Sequence, residues 1–353
     1  MSLLRLPNEL LQLIIEELGL VRDINAFVRT NIRLYGLFNT YLYFYDVQQL
    51  GSSALLWATK HGQEATTRKS LQGGADIETI ESNRTPVALA AENGHKIVVE
   101  LLLATEGVNP DRMDNVKRTP LSMAAGNGHG AVVNLLLITT GVDPDSRDFQ
   151  GQTPLSWAAE YGHETVVKLL LSTEGVNPNS RDYNRRTPLL LAAQNGRAAV
   201  VKLLLTVGSV DPDCKDSLGW TPLASAAQHG HEVVVKLLLA TKRVDPDSNN
   251  YLKRTPLSLA AQGGREGVVK LLLATESVNP DSRDSDGQTP LSRAAENGRE
   301  AVVKLLLATE GVNPDSKDSF ERTPLSLATR KGHKTVVKLL QIYGIPGQNI
   351  PKH

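Results

Sequence analysis

One dipeptide recurs along this chain at a fixed step. Thr85, Thr119, Thr153, Thr187, Thr221, Thr255, Thr289 and Thr323 are each followed by proline, and each step is 34 residues. A degenerate earlier copy reads Ser53-Ala54-Leu55-Leu56-Trp57-Ala58, which makes nine units between about 51 and 343. A period of this length is the mark of stacked supersecondary units rather than of a single globular core.

The unit that starts at Gln152 shows why stacking is required. Thr153 is a good helix N-cap, because its hydroxyl can accept an orphan backbone N–H. Pro154 suits the first helical position, where its missing donor is harmless. Leu155, Ala158 and Ala159 give a short helix a narrow apolar face, and Gly162 ends it in a left-handed cap. Val166, Val167, Leu169, Leu170 and Leu171 form a second, more apolar helix, expected to end at Gly175-Val176-Asn177-Pro178. Ser180 to Arg186 then returns as an extended loop. Neither helix is long enough to be stable alone, so neighbouring units must share a core. Of 18 prolines, 15 fall in the two slots of this punctuation.

The segment Thr153-Pro154-Leu155-Ser156-Trp157-Ala158-Ala159-Glu160-Tyr161-Gly162-His163 resembles the ankyrin repeat, whose signature is T-P-L-H-x-A-A-x-x-G-H. The likeness recurs eight times in phase and covers about five-sixths of the chain. It implies an all-α repeat solenoid: an array of about nine helix-turn-helix units with hairpin-like connecting loops over 51–343, a small helical segment at 1–50 and a tail at 344–353. Two departures stand out. The unit has 34 residues rather than the family's 33, and serine replaces the usual histidine at Ser122, Ser156, Ser258, Ser292 and Ser326.

Charge and cysteine content limit the function classes. The chain carries 38 basic and 38 acidic side chains, which argues against a general phosphate-binding surface and hence against nucleic acid as a partner. Cys214 is the only cysteine, so a disulfide framework is excluded and a reducing compartment, cytoplasmic or nuclear, is expected. It stands where sister units carry Ser146, Ser180, Ser248 and Ser282, which reads as a small residue in place of serine rather than a reactive thiol. No run of about 18 apolar residues suggests a membrane span. The start, MSLLRLPNELLQLIIEEL, lacks the basic leader of a secretory signal. The sequon Asn83-Arg84-Thr85 would then go unused.

The first fifty residues are different in kind. They hold 7 of the chain's 16 aromatics. Leu6, Leu10, Leu11, Leu13, Ile14 and Leu18 mark an amphipathic helix after Pro7. Asp23 can cap a second helix through Ile24, Phe27 and Val28, and a third is expected near Ile32 to Leu42. Leu6-Pro7-x-Glu9-Leu10-Leu11-x-x-Ile14, with Leu18, Asp23-Ile24 and Arg33-Leu34-Tyr35, resembles an F-box. That resemblance implies docking onto the Skp-type adaptor of a cullin–RING ubiquitin ligase through Leu6, Pro7, Leu10, Ile14 and Ile24. The other reading of the same helices is a cap over the exposed face of the first unit.

Several chemical-looking motifs dissolve into the repeat. Gly126-Asn127-Gly128-His129-Gly130-Ala131 imitates a dinucleotide fingerprint, but it lies at a helix-to-helix turn instead of between a strand and a helix. His95, His129, His163, His231 and His333 share one slot with Arg197, Arg265 and Arg299. Successive copies should sit about 10 Å apart, far beyond the ~2 Å ligand distance of zinc. Helix capping or hydrogen bonding between units is expected there. The Pro-Asp-Ser-x-Asp segments read as Asx-type turns. No nucleophile, base pair or metal set stands out, so the chain reads as a non-enzyme without cofactor or metal. An enzyme using the groove as a pocket is the remote alternative.

Recognition must use what the copies do not share. The Val-Val-Lys-Leu-Leu core of the second helix recurs from 166, 200, 234, 268, 302 and 336. Variation gathers at the loop tip before each Thr-Pro and at the pair after Ala-Ala, the positions that in ankyrin proteins line the concave partner-binding face. Six of the nine aromatics beyond residue 50 lie between 149 and 251, and aromatic side chains dominate interface hot spots. The candidate partner-binding residues are therefore Phe149, Trp157, Tyr161, Tyr183, Arg186, Trp220, His229 and Tyr251. Neutral drift at exposed sites, with Trp157 packed between units, is the competing reading. Basic pairs at Lys117-Arg118, Arg185-Arg186 and Lys253-Arg254 either favour an acidic segment or are simply solvated. The expected protein is a monomeric interaction module. It acts as a ubiquitin-ligase substrate receptor, with its target in the groove and a Skp-type adaptor at the N-terminus, or as a scaffold with no ligase link.

Overall fold

The computed structural model describes residues 52–343. The expectations placed on Leu6, Pro7, Leu10, Ile14 and Ile24, and on the tail, lie outside the described residues. The chain forms two compact units, one ending at Phe149 and the other beginning at Gln150.

Among the described residues there are 18 helices, paired as helix-turn-helix, and no strands. In the first unit they are α1 Ser53–Lys60, α2 Glu64–Gln72, α3 Pro86–Glu92, α4 Lys96–Leu103, α5 Pro120–Gly126 and α6 Gly130–Leu137. In the second they are α7 Pro154–Tyr161, α8 Glu164–Leu171, α9 Pro188–Gln194, α10 Ala198–Thr206, α11 Pro222–His229, α12 Glu232–Leu239, α13 Pro256–Gly263, α14 Glu266–Leu273, α15 Pro290–Glu296, α16 Glu300–Leu307, α17 Pro324–Lys331 and α18 Lys334–Tyr343.

Local chemistry explains these boundaries. From α3 onward each first helix has proline at its start, and the preceding threonine hydroxyl accepts the N–H of the third residue along, as Thr153 does from Ser156. The degenerate α1 lacks this device: Ser52 sits at φ 65° and makes no side-chain cap bond. Gly162, at φ 86°, closes α7 in the left-handed conformation as expected. The second helices end earlier than the sequence suggests. α8 stops at Leu171 with Ser172 as its C-cap, ahead of Gly175. The loop after it is not extended: the Asp182 N–H donates to the Arg186 carbonyl and the Arg185 N–H donates to the Asp182 carbonyl, which makes a tight hairpin-like turn. One isolated bridge, Glu81–Arg84, is the nearest approach to strand pairing among the described residues.

From α4 to α16 the core is built from one leucine and two valines of each second helix, together with the alanines of the first helices; α2 buries Thr67 and Ser70 instead. Leu102 and Leu136 in the first unit, and Leu170, Leu204, Leu238, Leu272 and Leu306 in the second, are fully buried. Each contributes about 2 kcal/mol by leaving water. Within each unit the alanine-faced first helices pack more closely on one another than the leucine-rich second helices do, because a methyl side chain lets backbones approach.

Candidate interaction surface

The shared slot at the start of the second helices acts between repeats. His95 Nε2 donates to the carbonyl of Lys60 at 3.1 Å, His129 to Glu92 at 2.9 Å, His231 to Gln194 at 3.0 Å and His333 to Glu296 at 3.0 Å. Arginine does the same job through Nε, from Arg197 to Glu160 and from Arg265 to Gln228, both at 3.0 Å. A carbonyl only accepts, so Nε2 carries the proton in these histidines. None of the assigned caps in this slot makes a side-chain cap bond, which narrows the expectation to bonding between units. Gly196 shows how tightly this fits: a Cβ there would lie 2.7 Å from His231 Nδ1, and φ is +68°. Among the described residues no three His, Cys, Asp or Glu side chains converge as metal ligands.

Cys214 lies where its serine counterparts lie. Its Sγ is 3.1 Å from Thr187 Oγ1, as Ser146 Oγ is from Thr119 Oγ1 and Ser180 Oγ from Thr153 Oγ1. The thiol is buried, and burial pushes its pKa up. A thiol so held is protonated and poorly nucleophilic.

The loop tips are organised by their aspartates. Asp216 Oδ1 accepts from the N–H groups of Leu218 and Trp220, both at 2.8 Å, and Asp318 does the same for Phe320 and Arg322 at 2.9 Å. These are the expected Asx-type turns. A second set, such as Asp211 accepting from the Asp213 N–H at 3.0 Å, frames the proline turns. Successive tips are joined by single backbone bonds, Tyr183 N–H to Gln150 O, Ser217 to Asn184, Tyr251 to Leu218 and Ser285 to Leu252.

Tip chemistry alternates with a double period that a 34-residue reading overlooks. Lys117-Arg118, Arg185-Arg186, Lys253-Arg254 and Glu321-Arg322 alternate with Gly151-Gln152, Gly219-Trp220 and Gly287-Gln288. At three of the charged tips the arginine folds back on the aspartate four residues earlier: Arg186 Nε lies 2.7 Å from Asp182 Oδ2, and Arg118 and Arg322 behave alike, whereas Arg254 has Asn250 in that place. At Gly151 and Gly219 the tyrosine of the next tip, Tyr183 or Tyr251, settles on the bare backbone, and at Gly287 Ser319 does so. A Cβ on Gly219, at φ +79°, would meet the Tyr251 nitrogen at 2.9 Å and its ring at 3.0 Å. The alternation is legible in the sequence once the units are taken in pairs.

The eight candidate residues fall into groups. Arg186, Trp220 and His229 line one groove of about 350 Å³ in the second unit, with Leu190, Gln194 and Gln228 among the other walls. A smaller hollow of about 220 Å³ shares Gln228 and His229 and adds Arg265 and Arg299, which the sequence reading left out of its candidates. His229 Nδ1 donates to the carbonyl of Ser225 at 2.9 Å and its ring stacks on His231. Tyr183 and Tyr251 stand on tips, 73% and 69% exposed. Trp157 and Tyr161 stack along α7 with ring centres 5.9 Å apart, Tyr161 exposed and Trp157 half-buried. Phe149 belongs to the first unit, exposed beneath the Lys117 ammonium at 5.2 Å.

No helix among the described residues is long and apolar enough to cross a membrane. Comparison with curated proteins returned no match. The family model for ankyrin repeats, three copies per match, fits residues 55–148, 99–182, 121–209, 189–280 and 257–350. Paired helices with Thr-Pro caps, alanine-faced stacking and near-continuous family matches lead to one conclusion: this chain belongs to the ankyrin repeat family.

Proposed function

We propose that the protein is a substrate receptor that holds its target protein in the groove of the second unit. Repeats of this family generally serve as non-enzymatic modules for binding other proteins. The observation that carries the proposal is the meeting of Arg186, Trp220 and His229 in one groove. All three occupy positions at which otherwise near-identical units differ. A half-buried tryptophan beside exposed tyrosines is the composition of an interface hot spot. Residues 1–50, through their F-box resemblance, would hold a Skp-type adaptor by Leu6, Pro7, Leu10, Ile14 and Ile24. The chain itself would transfer nothing; it brings target and ligase together.

Affinity capture from the native cell tests both halves. Trp220→Ala with Tyr183→Ala should weaken recovery of the target while leaving the helical CD signal intact, and undiminished recovery refutes the groove. Leu10→Ala with Ile14→Ala should release a Skp-type adaptor without releasing the target. If wild-type protein recovers no adaptor, the chain is a scaffold and its first helices serve only as a cap.

A further inference from the structure

The target-binding face of the second unit is selectively stripped of free carboxylates. In the slot after the paired small residues of each first helix stand Glu92, Glu160 and Glu296, with Gly126 and Arg330 in two other units, but the three consecutive units between Glu160 and Glu296 carry Gln194, Gln228 and Gln262. The adjoining segments 181–186, 215–220 and 249–254 carry six basic side chains and two acidic ones. Both acids are consumed internally: Asp182 is buried against Arg186, and Asp216 is buried accepting two backbone N–H groups. At 250 the usual aspartate is asparagine, which leaves Arg254 only a 3.7 Å approach to Asp284, a carboxylate already held by Arg293. Among the described residues no carboxylate lies within ion-pair distance of Arg185 or Lys253, and both are exposed. The same tips present Tyr183, Leu218, Tyr251 and Leu252, each at least half exposed.

Resting on the groove reading above, we propose that the partner segment is an acidic peptide with apolar anchors. Its carboxylates meet Arg185, Lys253 and Arg254, its apolar side chains pack on Tyr183, Leu218 and Tyr251, and the Gln194, Gln228 and Gln262 amides hydrogen-bond its backbone. The contrast with the repeats that follow carries this choice, since a merely solvated surface would keep both signs of charge, as the tip with Lys317 and Glu321 does. The apolar side chains between the cations favour a peptide over a nucleic acid, whose phosphates call for an unbroken basic stripe.

The test is selection of random displayed dodecapeptides on the full chain, followed by binding of the winners at low and high salt. The control for folding is internal: Glu321 occupies the same tip slot at φ 58°, so Arg185→Glu with Lys253→Glu (φ 61° and 55°) retains a backbone that tolerates glutamate. Acid-rich winners with apolar anchors, weakened about tenfold or more by the double reversal and by salt, support the proposal. Winners without acidic bias that are lost in Trp220→Ala overturn the acidic partner but leave the groove standing. Winners unaffected by either variant, or no winners, overturn both. A single-stranded oligonucleotide bound as tightly as the best peptide also overturns it.

Discussion

Replacing Asp213 by asparagine is expected to stabilise the second unit at neutral and alkaline pH. The carboxyl is half-buried, the N–H of Asp245 donates to it, and its Oδ1 has no hydrogen-bond partner. Asn179 fills the equivalent slot one repeat earlier and shows what is missing. Its Oδ1 accepts from the Asp211 N–H at 3.2 Å, while its Nδ2 donates to the carbonyl of Ser209 at 2.7 Å. A carboxylate can accept but cannot donate. Burial first, then the nearby charges of Asp245 and Asp211, raise the Asp213 pKa from 3.8 to about 6, with the Asp245 N–H and Lys215 opposing.

The folded value lies above the unfolded one. Asp213 therefore favours folding fully only below pH 3.8, and that contribution is lost as pH rises through about 6. Two pH units correspond to about 3 kcal/mol at most. Solvent screening of a half-exposed group lowers this to roughly 1 kcal/mol. Urea unfolding of both proteins should show Asp213→Asn the more stable by about that amount near pH 8, with the gap closing toward pH 4. The other raised carboxyls, Asp111, Asp247 and Asp281, are common to both proteins and cancel. Equal midpoints near pH 8, or a gap independent of pH, would refute the reasoning.

Two further substitutions probe the repeat logic. Gly219→Ala places a methyl against the Tyr251 backbone at positive φ and should destabilise by about 1–2 kcal/mol or more, measured by chemical denaturation; the shift should be absent for Lys253→Ala, where a side chain already sits at φ 55°. Cys214→Ser should leave the thermal midpoint within a few degrees of wild type, since serine makes this bond in sister units, and the native thiol should react with an alkylating agent only on unfolding.

The helices were largely legible. Thr153 and Pro154 fix a start by filling a backbone valence and presetting a dihedral, and both effects act within one turn. The ends of second helices were less so. Gly175 is a conspicuous stop signal, yet α8 ends at Leu171, one residue beyond the buried Leu170, with Ser172 as its C-cap. Of the candidate site, the variable positions could be found by comparing copies, but not their partners. Arg186 reads as a free cation in the sequence and is paired with buried Asp182 in the fold, whereas its exposed neighbour Arg185 has no carboxylate within ion-pair distance among the described residues. The histidine slot shows the same gap, because its acceptor lies 35–37 residues away, as in His95 to Lys60 and His231 to Gln194.

The sequence by itself determined that this protein stacks helix pairs, where each first helix begins and which faces are apolar. Those features depend on a repeating pattern of local steric and hydrogen-bonding preferences, and 34-residue self-similarity states that pattern eight times over. Only the tertiary structure decided which charges remain available and which side chains share a groove. Those outcomes depend on distances between residues a full repeat apart, such as Arg186, Trp220 and His229, and no spacing along the chain encodes them until the units are stacked.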